Sequence, residues 1–166
     1  MVVKIDIPVS IIRYAGLFQK EKLLRTVRGW LLSERYLFSE PKHKYSSSPT
    51  GATLEVRFEG DRKVTSYVRF KIVVDILINE MKDVQVVKDG IQTVLQEGKI
   101  LIETKGTLEL DWQNRFGGSK FLQGLHDFYL KYIIKKKIDE VWWGALYSKI
   151  FKLNSVIREA IGFETV

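Results

Sequence analysis

The sequence predicts an α+β fold: a curved antiparallel sheet of about five to seven strands, one N-terminal helix, and a long, broken C-terminal helical segment packed on the sheet. Three observations carry this prediction. Apolar and polar residues alternate through the middle of the chain, apolar residues recur with helical spacing near both ends, and short turn signals separate the alternating stretches. No repeat or second domain is evident in the 166 residues, so we predict a single domain over 1–166.

The first elements are a strand and a helix. Val2 to Ile7 alternates, and Pro8 confines this strand to an edge or an end of the sheet. From about Gln19 to Tyr36 the apolar residues form one helical stripe. The segment Ser39 to Gly51 contains two prolines and a serine run, which predicts a loop.

Strands follow from Leu54 onward, separated by turn signals at Gly60-Asp61, Asn79 to Asp83 and Lys88-Asp89-Gly90. Gly106 is expected to be a bulge or bend in the last strand. The predicted strands are Leu54 to Glu59, Val64 to Ile78, Val84 to Val87, Ile91 to Leu95 and Lys99 to Asp111.

The C-terminal helical segment begins after Gly117-Gly118, with Ser119 as its predicted N-cap. A first apolar arc is expected to face the core, and a second arc runs from Ile138 to Ala160. The two arcs do not align, which predicts a break near Ile134 to Lys137. The first arc consists of Phe121, Leu122, Leu125, Phe128, Tyr129, Tyr132 and Ile133.

An aromatic stripe, defined as Trp143, Tyr147 and Phe151, recurs every four residues along the edge of the second arc or beyond it. Aromatic residues at this spacing are typical of a core-facing helix. The alternative is a partner-binding stripe, because an arc wide enough to bury all three rings would leave little solvated helix.

The net charge of +7 and a pI near 9.5 favour acidic partners. If the basic residues of helices and loops converge, they would form an anion-binding or nucleic-acid-binding strip; otherwise they are a solvated surface. The candidates are Lys22, Arg25, Arg28, Lys42, Lys44, Lys131, Lys135, Lys136 and Lys137.

Residues suited to catalysis are few. The sequence has no cysteine, which excludes disulfides and thiol chemistry. His43 lies in a polar segment, and His126 and Asp127 are adjacent on a helix, where neighbouring side chains point in different directions. We predict no catalytic residue, metal ligand or cofactor. The N-terminus is typical of a strand rather than a signal peptide, and no apolar run is long enough to span a membrane, so we expect a cytoplasmic protein.

The order of a strand, a helix, antiparallel strands and a long C-terminal helix resembles the helix-grip layout of START and Bet v 1 proteins. The long strand Val64 to Ile78, the bent strand at Gly106 and the helix opening GGSKFLQGLHDFYLKY carry this resemblance. It implies a sheet that wraps around the last helix and often encloses an apolar ligand. The family usually has two helices after its first strand, whereas this chain shows one. The candidate ligand-binding residues are Phe70, Ile72, Phe121, Leu125 and Phe128.

The segments DWQNRF and KFLQGLHDFYLKYIIKKKI are also similar to uncharacterised archaeal proteins, and the abundance of Lys, Ile, Val and Glu suits a thermophile. Three functions remain open. The first is non-enzymatic binding of an apolar small molecule in a helix-grip cavity. The second is protein–protein assembly, with a second copy or another protein, through the aromatic stripe. The third is a basic nucleic-acid or ribosome-associated factor that uses the helix lysines.

Overall fold

Residues 2–162 are the part of the chain that the computed structural model describes. They form one curved, open antiparallel sheet, with one helix between the first and second strands and the other helical segments after the last strand. The strands lie in the order β1-β5-β4-β3-β2, so that β1 and β2 are the edges. This arrangement confirms the predicted fold class. The strands are β1 Val3–Phe18, β2 Leu37–Ser48, β3 Gly51–Lys63, β4 Val68–Lys88 and β5 Ile91–Leu110. The helices are α1 Lys20–Ser33, α2 Lys120–Phe128, α3 Lys135–Lys137 and α4 Gly144–Ile161, with π-helical segments at Tyr129–Ile133 and Ile138–Trp143.

Alternation along the central strands gives the sheet two different faces. The alternating apolar residues of β4 are buried, while Arg69, Lys71 and Asp75 lie on the opposite, more polar face. α1 and α4 pack against each other and cover the apolar face. The buried residues of β4 on this face include Val68, Phe70, Ile72, Val74, Ile76 and Ile78.

Two predicted turns are wrong because the strands continue through them. At Asn79 to Asp83 the chain forms a bulge, in which Glu80 and Met81 lie opposite Gly98 and Glu80 adopts a φ of +53°. Pairing therefore resumes, and β4 and β5 form one long hairpin. The Gly60-Asp61 signal lies inside β3. The turn predicted at Lys88 to Gly90 is confirmed, because Asp89 and Gly90 connect the two strands with positive φ angles.

The segment predicted as a loop, Ser39 to Gly51, is mostly the edge strand β2, which pairs with β3. A register shift between Ser39 and Lys42 accommodates Pro41, which has no N–H to donate. A similar bulge in β1 lets that strand run past Pro8 to Phe18, so the first strand is much longer than predicted. β1 is an edge strand, as Pro8 predicted.

At Gly106 the sheet makes a close contact with α4. It pairs regularly with Ile72 and Ile7, and the bulge at this level lies in β1, between Ile7 and Ser10, so β5 itself has no bulge at Gly106. The need for glycine is instead one of space. A Cβ at this position would overlap Cδ1 of Ile150 and lie 3.2 Å from Cγ1 of Ile7.

A buried polar connection holds α4 in place near this contact. The side-chain amide of Asn154 donates to Ser10 Oγ over 2.6 Å and accepts from Thr104 Oγ1 over 3.2 Å. Asn154 and Thr104 are both buried, so these hydrogen bonds satisfy groups that would otherwise be costly to remove from water. They join the helix to both β1 and β5.

We expect Gly106→Ala to destabilise the protein by about 1 to 3 kcal/mol, because the added methyl group overfills a packed contact. Gly29→Ala is the matched control: Gly29 lies in α1 with no atom within 4 Å of an added Cβ. That substitution should stabilise by roughly 0.5 to 1 kcal/mol. Urea unfolding measures both changes in the free energy of unfolding.

Combining Gly106→Ala with Ile150→Val should lower the free energy of unfolding by less than the sum of the two single substitutions. Strict additivity would contradict the steric explanation.

Candidate interaction surface

The connection from β5 to α2 is a loop organised by Asp111. Its carboxylate accepts the backbone N–H groups of Arg115 over 2.8 Å and Phe116 over 3.0 Å. Burial acts to raise the pKa of Asp111, but these hydrogen bonds to the charged form contribute to holding it below its usual value. Ser119 then caps α2, accepting the N–H of Leu122 over 3.2 Å as predicted.

α2 is attached to the connections between β3 and β4 and between β5 and α2 through a histidine. His126 is fully buried, and it is the one buried residue among Lys120–Phe128, all of which the structure describes. Its ring stacks on Phe116 with a centroid distance of 4.8 Å, and its Nε2 lies 2.6 Å from the hydroxyl oxygen of Tyr67. Tyr129 packs edge-on against Tyr67. The anchor of this helix is thus aromatic and polar rather than aliphatic.

The environment of His126 favours the uncharged form of its imidazole. Burial lowers the pKa of its imidazole, an effect that the nearby Asp111 carboxylate only partly opposes. Nδ1 has no hydrogen-bond partner among residues 2–162. The neighbouring Asp127 is exposed, so the two side chains do not form a pair, as the sequence predicts.

Four large apolar side chains of α2 and of the π-helical segment that follows it are exposed to solvent. They form a surface we name the apolar ridge: Phe121, Leu125, Phe128 and Tyr132. Their exposed fractions are 77%, 47%, 54% and 65%. The spacing of four, three and four residues places them on one side of the helix, and the rings of Phe128 and Tyr132 lie 5.0 Å apart. The prediction that this arc faces the core is therefore wrong for the ridge and for Ile133, while Leu122 and Tyr129 are partly buried.

Lysines lie beside the ridge. Lys131 Nζ is 5.2 Å from the ring centroid of Tyr132, and Lys137 Nζ is 5.3 Å from that of Trp142. Five lysines of this region are exposed, and none of them forms an ion pair with another residue of the range 2–162. They are Lys120, Lys131, Lys135, Lys136 and Lys137. Their positive charges are available to an external anion.

The break predicted near Ile134 to Lys137 is confirmed at Ile134, which has φ −111° and ψ 0°. Ile134 and Ile138 are buried on either side of the three lysines of α3. These two side chains hold the broken region on the core while Lys135–Lys137 remain in water.

The remaining predicted site residues lie in different environments. In the aromatic stripe, Tyr147 and Phe151 are exposed, while Trp143 is partly buried and stacks on Tyr147 at 5.3 Å. Whether the stripe binds a partner stays a prediction. On α1, Lys22 and Arg25 are exposed, and Arg28 pairs with Glu40 at 3.5 Å.

The basic residues of α1 have different neighbours from those of the C-terminal region. α1 packs on α4 and β2, whereas α3 packs on the two π-helical segments. In β2, His43 is exposed and its Nδ1 lies 2.8 Å from a carboxylate oxygen of Glu40, so it has the solvated position expected from the sequence.

The five residues predicted to surround an apolar ligand lie in two different environments. Phe70 and Ile72 are buried in the sheet core, whereas Phe121, Leu125 and Phe128 belong to the exposed ridge. The set therefore separates into packing residues and surface residues. Tyr67, the partner of His126, was not predicted, since no local pattern connects positions 59 residues apart.

Between residues 2 and 162, no three His, Asp or Glu side chains are grouped so as to hold a metal ion. No helix in the same range has both the length and the apolar character needed to cross a membrane. A scan against known protein families finds none that matches the chain, and a search of curated proteins finds no similar sequence.

We expect His126 to make the protein less stable in mild acid. Because burial lowers its pKa in the folded state, the unfolded chain binds the proton more readily below pH 6.5, the ordinary value for histidine. The contribution is complete above that pH and is lost as the pH falls toward the lowered pKa. Urea unfolding of wild type and His126→Gln from neutral to mildly acidic pH measures it.

His126→Gln should flatten the pH dependence of the wild type. Equal pH dependence in wild type and His126→Gln would contradict the assignment.

Proposed function

We propose that the protein is a non-enzymatic binding module that contacts its partner through the apolar ridge. One observation carries this proposal: large apolar side chains of α2 are exposed, while the helix is held by His126 between Tyr67 and Phe116. Exposed apolar groups gathered on one surface typically mark an interaction site. The ridge contributes little to the core, so its composition is better explained by binding than by folding.

The flanking charge indicates the chemistry of the partner. The stretch 120–137 contains five lysines and one acidic residue, Asp127, which leaves a net charge of +4 (5 − 1). An apolar contact surrounded by unpaired lysines favours a partner that combines apolar groups with negative charge. The cytoplasmic location expected from the sequence is part of the same proposal.

The other functions stay predictions. The helix-grip ligand, the aromatic stripe as a partner site and the nucleic-acid factor are not excluded by the fold, but none has an observation comparable to the ridge in its favour. The ligand hypothesis is weakened because its five residues are divided between core and surface.

A photo-crosslinking amino acid, benzoylphenylalanine, at position 121 or 128 tests the proposal in cells. We expect a reproducible adduct, protein or lipid, at both positions. The control position is Ile91, which is also exposed, at 68%, but lies at the end of the β4–β5 hairpin. No adduct at the ridge, or the same adducts at Ile91, would contradict the proposal.

The ridge should also be dispensable for folding. Phe121→Ser and Phe128→Ser are each expected to change the free energy of unfolding by no more than about 0.5 kcal/mol, as is usual for exposed positions. Leu108→Ser, at a fully buried position of β5, is the contrasting control and should cost several-fold more. Urea unfolding of the three variants decides the matter. A large loss at Phe121 or Phe128 would show that the ridge packs in the core.

A further inference from the structure

We infer that the partner of the apolar ridge is the surface of a lipid bilayer that contains anionic lipids. This inference rests on the proposed function and names the class of partner. Three features of the molecule support it: the shape of the ridge, the distribution of charge around it, and the position of the lysines relative to the rings.

The shape of the ridge suits a bilayer surface. The ridge residues stand out from the convex side of a helix, with between 47% and 77% of each side chain exposed. A protein partner would need a groove shaped to receive them, whereas a bilayer interface accepts protruding apolar side chains without a preformed pocket. Phe121, Phe128 and Tyr132 supply aromatic rings, which suit the boundary between headgroups and acyl chains. The ridge is already exposed, so binding requires no unfolding.

The charge beside the ridge is positive. Residues 128–138 contain four lysines and no carboxylate, and these lysines have no ion-pair partner within the described range 2–162. The sheet differs in this respect. There, Lys71 lies 3.7 Å from Glu109, and Lys105 lies 3.8 Å from Asp75. Asp139 and Glu140 follow this stretch directly but form no ion pair with its lysines within residues 2–162, so a net positive charge is left beside the ridge, where anionic headgroups would neutralise it.

Two lysines of this region lie beside aromatic rings. Lys131 lies beside Tyr132, and Lys137 lies beside Trp142, each with its ammonium nitrogen within 5.3 Å of the ring centroid. When the ring enters the interface, the flexible lysine stem can follow it while the ammonium group stays at the phosphates. A nucleic acid would satisfy the same charges. It would leave Leu125 and Ile133, which are aliphatic and exposed, in contact with water.

Vesicle co-sedimentation tests the inference with the full chain. The two probes are vesicles of phosphatidylcholine alone and vesicles of phosphatidylcholine with phosphatidylglycerol. We expect binding to the anionic vesicles, weakening as salt rises, and far weaker binding to the neutral ones. Trp142, which is partly buried and lies beside Lys137, gives a second readout through a blue shift of fluorescence.

Three variants separate the contributions. Phe121→Ser with Phe128→Ser should abolish binding to the anionic vesicles. Replacing Lys135, Lys136 and Lys137 by Gln should weaken it roughly 100-fold, at about fivefold for each lysine. Val87→Ser with Ile91→Ser, at exposed apolar positions of the β4–β5 hairpin, is the matched control and should bind as wild type. Circular dichroism confirms that each variant is folded.

Two outcomes would overturn the inference. One is that the folded wild type binds neither vesicle at low salt. The other is that binding depends on the lysines but not on Phe121 and Phe128, which would indicate adsorption by charge alone. If crosslinks at the ridge identify a protein while vesicles do not bind, the lipid inference fails and the proposed function stands. If neither crosslinks nor vesicle binding are found, both fail.

Discussion

The structure depends on the close contact between α4 and the sheet at Gly106. Because Gly106 has no side chain, Ile150 can pack directly over the strand, and Asn154 reaches both Ser10 and Thr104 with buried hydrogen bonds. Apolar packing and a satisfied polar connection therefore fix the same helix at the same place. With α1 packed beside it, α4 covers the apolar face of the sheet.

The position of α4 explains the character of the segment that precedes it. Once α1 and α4 occupy the apolar face, α2 has no large apolar surface on which to pack. It is attached instead through His126, held between Phe116 and Tyr67. The aromatic residues of the ridge are exposed as a consequence, and the packing that completes the core is also what presents the candidate interaction surface.

Charge is distributed unevenly between the sheet and the C-terminal region. On the outer face of the sheet, the buried carboxylate of Glu109 pairs with Lys4, Arg69 and Lys71, so positive and negative groups largely compensate each other. The lysines beside the ridge have no such partners within residues 2–162. Composition gives the net charge of +7 but not its location. In the structure, lysines without ion-pair partners among the described residues lie beside the ridge.

Local patterns in the sequence determined the helix that begins after Ser119, the Asp89-Gly90 turn, the break at Ile134 and the alternation of β4, because each depends on backbone preferences within a few residues. The tertiary structure alone decided whether Asn79 to Asp83 turns or bulges, and whether Ser39 to Gly51 is a loop or an edge strand, since both depend on pairing with distant strands. The exposure of the ridge was decided in the same way. An apolar helical arc looks the same in sequence whether it faces a core or solvent. Here α4 already covers the sheet, and it is joined to the sheet by contacts such as the hydrogen bond from Asn154 to Ser10, 144 positions away.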